Sequence, residues 1–137
     1  MIMKMTERKV TDRQMADVAA VMVHRSGLVN LDGDDVRTIL EDRSGMLYQG
    51  VKDADEDNNT FLTSFCSELS GKSRHFKYIM ICFGFPEDDP MMMDELIIVN
   101  QFLHTNDHFE TTMWGLYSKP EKALPSIEVL CTTDIDQ

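Results

Sequence analysis

Phe76-Lys77-Tyr78-Ile79-Met80-Ile81-Cys82-Phe83-Gly84-Phe85 is the most continuous apolar run in the 137-residue chain, and its reading fixes the fold class. Pro86 and the acidic residues behind it close the run. It therefore reads as a central strand, buried on both faces towards its end. Upstream, Phe61, Leu62, Phe65, Cys66 and Leu69 recur at helical spacing, and Ser70-Gly71-Lys72-Ser73 is a stop signal. Before that helix, Met46 to Val51 is a short apolar and aromatic segment between glycine and an acidic turn, which favours a strand. Downstream, Pro86-Glu87-Asp88-Asp89-Pro90 is a loop, with Pro90 suited to a first helical turn. Met93, Leu96, Ile97 and Phe102 or Leu103 lie near one another on a helix to about His104. Glu110 to Tyr117 is a third strand, Lys119-Pro120-Glu121-Lys122 a turn, and Ser126 to Thr132 alternates as a fourth strand.

The order strand, helix, strand, helix, strand, strand implies two right-handed crossovers, both helices on one face, and a closing antiparallel hairpin. The expectation is an α/β two-layer sandwich with a four-stranded mixed sheet and two leading helices. One domain accounts for residues 1–137: a lead over 1–10, a helical and loop segment over 11–44, and the sandwich over 45–132. In the leading segment, Thr11 and Gln14 have capping-box spacing, and Met15, Val18, Ala19 and Met22 follow as a helix to about Arg25. Val18 to Val23 is apolar on every face, so both sides of that helix need cover. Val18, Val21 and Met22 are accordingly candidate partner contacts; the other possible cover is Ile2, Met3 and Met5 folded back. A second helix is expected from about Asp35 to Arg43, with Val36, Ile39 and Leu40 inward and Gly45 as its end.

Between these two helices lies Gly27-Leu28-Val29-Asn30-Leu31-Asp32-Gly33-Asp34-Asp35-Val36-Arg37-Thr38, an amide and three carboxylates in one short loop. Asp and Asn there would cap a helix, since their oxygens accept from first-turn N–H groups. The competing reading is a contact or catalytic loop. Gly27, Leu28, Asn30, Asp32, Asp35, Val36, Arg37 and Thr38 resemble in register the synergy loop of the tubulin/FtsZ superfamily in its bacterial form. The order of elements from about Asp12 to Thr132 also resembles the C-terminal activation domain of FtsZ. Phe83-Gly84-Phe85 followed by Met93-Asp94-Glu95 looks like that family's strand end and Leu-Asp-Glu helix. The resemblance implies that Asn30, Asp32 and Asp35 reach the nucleotide pocket of another subunit, where Asp35 helps polarise the water that attacks GTP. Gly33 and Asp34 replace the family's aromatic and small residue, which makes the loop more flexible and more acidic; they join the candidate partner contacts. The acidic 52–59 turn and Tyr48 also depart from the family pattern.

A formal charge of −11 disfavours nucleic-acid and anionic-membrane partners, because both would be repelled. Eleven methionines supply adaptable filling for cores or contacts. Three cysteines, Cys66, Cys82 and Cys131, sit in apolar runs and read as reduced core residues of a cytoplasmic protein. No apolar run approaches the ~18 residues of a membrane span. The seven glycines are scattered, and the run Gly-Gly-Gly-Thr-Gly-Thr-Gly does not occur. A chain without such a phosphate cradle is not expected to bind or hydrolyse GTP by itself, so GTP and Mg²⁺ enter only if a partner supplies them. Asp53, Asp55 and Asp57 alternate like a calcium loop, but Asn58 and Ser64 stand where Gly and a bidentate Glu belong, so the motif fails. An acidic turn capping the next helix through Asp57, Asn58 or Asn59 is the simpler reading. His104 and His108 straddle a helix end without a placed third ligand, and no metal is expected.

Three functions stay open on sequence grounds: a non-enzymatic interaction domain presenting Asn30, Asp32 and Asp35 to an FtsZ-like GTPase filament; one half of a split FtsZ-like GTPase; and a structural homo-oligomer. The partner is then an FtsZ-like GTPase or a second copy of this chain.

Overall fold

A computed structural model describes residues 4–11, 14, 17, 18 and 43–134. Its five strands are β1 (Lys4–Val10), β2 (Arg43–Val51), β3 (Tyr78–Pro86), β4 (Thr111–Lys119) and β5 (Ser126–Asp134). Helix α1 (Asn58–Lys72) follows β2, and α2 (Met93–Thr105) follows β3. The sheet runs β1-β2-β5-β3-β4, with β3 and β4 parallel and the other neighbours antiparallel. The α/β sandwich with a mixed sheet and both helices on one face is as expected.

Three features of the sheet differ from the sequence reading. The expected lead contains β1, a fifth strand that pairs along β2 from Lys4↔Val51 to Val10↔Gly45. Its Glu7, Arg8 and Lys9 are exposed, and an edge strand tolerates charges that a central one would not. Second, Arg43 opens β2, and Gly45 lies inside that strand rather than ending a helix. Pairing on both sides, with Val10 and with Thr132, extends the strand through the glycine. Third, β5 does not form a hairpin with β4; it inserts between β2 and β3. Burial explains this placement. Ile127, Val129 and Cys131 are buried on one side of β5, and Leu130 and Thr132 on the other, so the strand has to be covered from both faces. Strand β4 alternates between buried or half-buried and exposed positions, which suits an edge.

The crossing from β4 to β5 is short. Lys122 adopts a left-handed φ of 68°, and its N–H donates to the Asp88 carboxylate at 3.1 Å, stapling this loop to the one after β3. Pro90 lies ahead of α2, which is capped at Met92, so it does not occupy the first turn.

The sheet separates two apolar clusters. Tyr48, Ile79, Ile81, Phe83, Phe85, Ile127, Val129 and Cys131 face the helices, where Phe61, Leu62, Phe65 and Leu69 of α1 and Val99 and Phe102 of α2 meet them. Each such side chain, fully buried, stabilises the fold by about 1.5–3 kcal/mol. On the opposite face Val10, Leu47, Tyr78, Met80, Cys82, Met113 and Leu130 form the second cluster. A polar pin joins the helices: Ser70 Oγ donates to Asn106 Oδ1 at 2.9 Å, while Asn106 Nδ2 donates to the Phe102 carbonyl at 2.8 Å.

Candidate functional site

The loop residues Asn30, Asp32, Gly33, Asp34 and Asp35, with Val21 and Met22, lie outside the described residues. Of the sequence-derived candidates, Val18 is described. It is helical, half-buried, and packs on the second face of the sheet against the cluster of Leu47, Met80 and Leu130. Part of its apolar surface is therefore covered by this chain's own sheet. Met5 does not fold back towards that helix; it lies on β1 and packs with the cluster on the α1/α2 side. A cavity of about 330 Å³ opens beside Val18, lined by Arg8, Gln14, Asp17, Leu47, Gln49 and Glu128.

The strongest polar constellation is at the carboxyl ends of β2 and β3, where both helices begin. Lys52 Nζ lies 3.2 Å from Asp89 Oδ2, with the lysine side chain largely buried. Asn58 Nδ2 donates to Asp89 Oδ1 at 3.0 Å and reaches Glu95 Oε1 at 3.4 Å. Glu95 is buried at 5 % exposure. These residues tie the β2–α1 turn to the β3–α2 loop and set Asp89 and Glu95 near helix N-termini, where negative charge is favoured. The arrangement is a clasp: one cation and one amide hold two carboxylates. Sequence reading missed it because its members come from two loops taken separately. Their shared position at the carboxyl ends of strands, where α/β folds place functional groups, was the available signal.

The acidic turn before α1 is internally satisfied. Asp53 Oδ1 accepts from the Asp55 N–H at 3.1 Å, and the Asp53 N–H donates to Glu56 Oε1 at 3.0 Å. Asp57 is the N-cap: its Oδ1 accepts from the Thr60 N–H at 2.7 Å, and that bond holds its carboxyl below the usual value. Among the described residues no group of three or more His, Cys, Asp and Glu is placed to hold a metal ion. His108 Nε2 lies 3.0 Å from the Ser73 carbonyl, whereas His104 is exposed in the last turn of α2, so the two have separate surroundings. All three cysteines are free; Cys82 and Cys131 are buried, and burial pushes the Cys66 thiol up to about 12. Tyr48 is buried under α1, its hydroxyl pushed up to about 12 chiefly by that burial. Among the described residues no helix is long and apolar enough to cross a membrane.

A solved structure of an empty FtsZ dimer from M. jannaschii superposes with a TM-score of 0.58 over 87% of this chain. The chain has an FtsZ-like fold. Sequence identity with that FtsZ is 16%, so the likeness is one of fold, and the matched region spans 36% of the length of the FtsZ chain. No protein-family model and no curated protein sequence matches the chain.

Proposed function

We propose that this chain is an FtsZ-like interaction domain that acts without a nucleotide site of its own, engaging an FtsZ-type GTPase filament through residues 27–38. The FtsZ-like fold over 87% of the chain is the observation that carries this reading. The spacing of Asn30, Asp32 and Asp35 supports it. In the proposed complex those three side chains approach a nucleotide held by the partner. Asp35 then orients the attacking water, and Mg²⁺ or basic groups of the partner offset the repulsion between carboxylates and phosphates. Capping a filament end and accelerating hydrolysis there are the two consequences this contact would have.

The test is titration of the chain, and of an Asp35→Ala variant, into a polymerising FtsZ while GTP turnover and polymer mass are followed. The reading expects the native chain to change at least one of them and the variant to lose that effect. No effect of the native chain, or an equal effect of both proteins, overturns it.

A further inference from the structure

We infer that β4 is a self-pairing edge: two copies of this chain associate by antiparallel pairing of Thr111–Lys119 with itself about a two-fold axis at Gly115. A strand edge presents N–H and C=O groups outward along its length, and these are satisfied by water or by another strand. Among the described residues β4 pairs with β3 and with no other strand.

The side chains are compatible with a second copy in one full-length register. Pairing about Gly115 sets Trp114 opposite Leu116 of the second copy on the helix-bearing face, and does so twice by symmetry. On the other face it sets Met113 opposite Tyr117. Thr112 meets Ser118, and Thr111 meets Lys119. Trp114 beside Leu116 buries apolar surface, and Thr–Ser hydroxyl pairs stabilise neighbouring strands. No like charges face each other. Leu116 is 43% exposed and Trp114 half-exposed, so both have surface to bury. Leu116 also lines a groove of about 430 Å³ with Phe85, Pro90 and Met91, which lengthens the apolar contact.

Charge selects the same place. Two molecules of formal charge −11 repel at most approaches. The sequence from Thr111 to Ser118 contains no acidic or basic residue. An isologous contact of this kind closes into a dimer, since the same patch is used by both copies.

The inference is independent of the proposed GTPase partner, because it concerns an edge distant in sequence from residues 27–38 and is read without nucleotide. Its test is light scattering of the full chain over a wide range of concentration, with Thr112→Cys and Ser118→Cys variants under mild oxidation by oxidised glutathione. Opposed Cα atoms in antiparallel strands lie about 4.5–5.5 Å apart, within disulfide reach. A doubled mass is expected on concentration. An equimolar mixture of the two single variants should cross-link, and each variant by itself should not. Leu116→Lys, checked for native circular dichroism, should return the mass to that of a monomer. A monomer at every concentration overturns the inference. So does a dimer whose mixed variants fail to cross-link, since its contact then lies elsewhere.

Discussion

The two edges of the sheet are built from different material. Strand β1 carries Glu7, Arg8 and Lys9 on an exposed surface, and Glu7 lies 3.4 Å from Lys72 at the end of α1. Strand β4 offers Thr, Met, Trp, Gly, Leu, Tyr and Ser before its first charge at Lys119. A charged edge resists pairing because its ions would lose water against another strand, whereas a neutral one has no such cost. Among the described residues, one edge of the sheet is thus charged and the other neutral. That asymmetry shows where a second strand can be added.

The largest effect is expected behind β4, where the strand lies against Gly84. A Cβ added at Gly84 would run into the ring of Tyr117, which is the β4 residue in register with it and whose hydroxyl lies 3.2 Å from Ser126 Oγ. Gly84→Ala should cost about 1–3 kcal/mol in denaturant unfolding, the range for an overpacked site. Adding Tyr117→Leu should recover part of it. A neutral Gly84→Ala would mean that the Tyr117 ring does not lie over Gly84 as described. Leu116→Lys should leave unfolding free energy within about 0.5 kcal/mol, as exposed substitutions do, while abolishing the concentration-dependent mass. The converse change sharpens the contrast: Arg8→Thr with Lys9→Val should make β1 adhesive and produce assemblies larger than a dimer in light scattering. If it does not, charge is not what keeps β1 single.

The smallest effect lies away from both edges. Asp57 caps α1, and its folded-state pKa is lowered. A lowered value means that its contribution is fully present above the unfolded pKa and disappears as pH falls through the folded one. Asp57→Ala should therefore show a modest fall in Tm at neutral pH, and the difference from the native chain should vanish in acid below that folded value. A difference that persists there would assign the effect to something other than the carboxylate.

The unequal edges also explain what could be read from the sequence. Strand β3 was legible because all nine of its positions are buried, so it appears as an unbroken apolar run. Helix α1 was legible because Phe61, Leu62, Phe65 and Leu69 all serve one face. Strand β1 was not, because three consecutive charges erase the alternation that marks a strand, and only its pairing with β2 makes it one. The position of β5 was also hidden. Alternation of Ile127, Val129 and Cys131 identifies a strand but says nothing of its neighbours, and the apolar Leu130 on the other face was the clue to a central place. At the candidate sites, the Asp57 cap followed from local chemistry, whereas the Lys52, Asn58, Asp89 and Glu95 clasp needs two loops to meet in space. Loop 27–38 was legible as a pattern, and it lies outside the described residues.

Hydrogen exchange of the β1 and β4 amides at low and high protein concentration tests the difference between the edges most directly. Every second amide of Thr111–Lys119 should slow as concentration rises, while those of Lys4–Val10 exchange unchanged. Equal behaviour of the two strands, or protection gained on β1 instead, would contradict it.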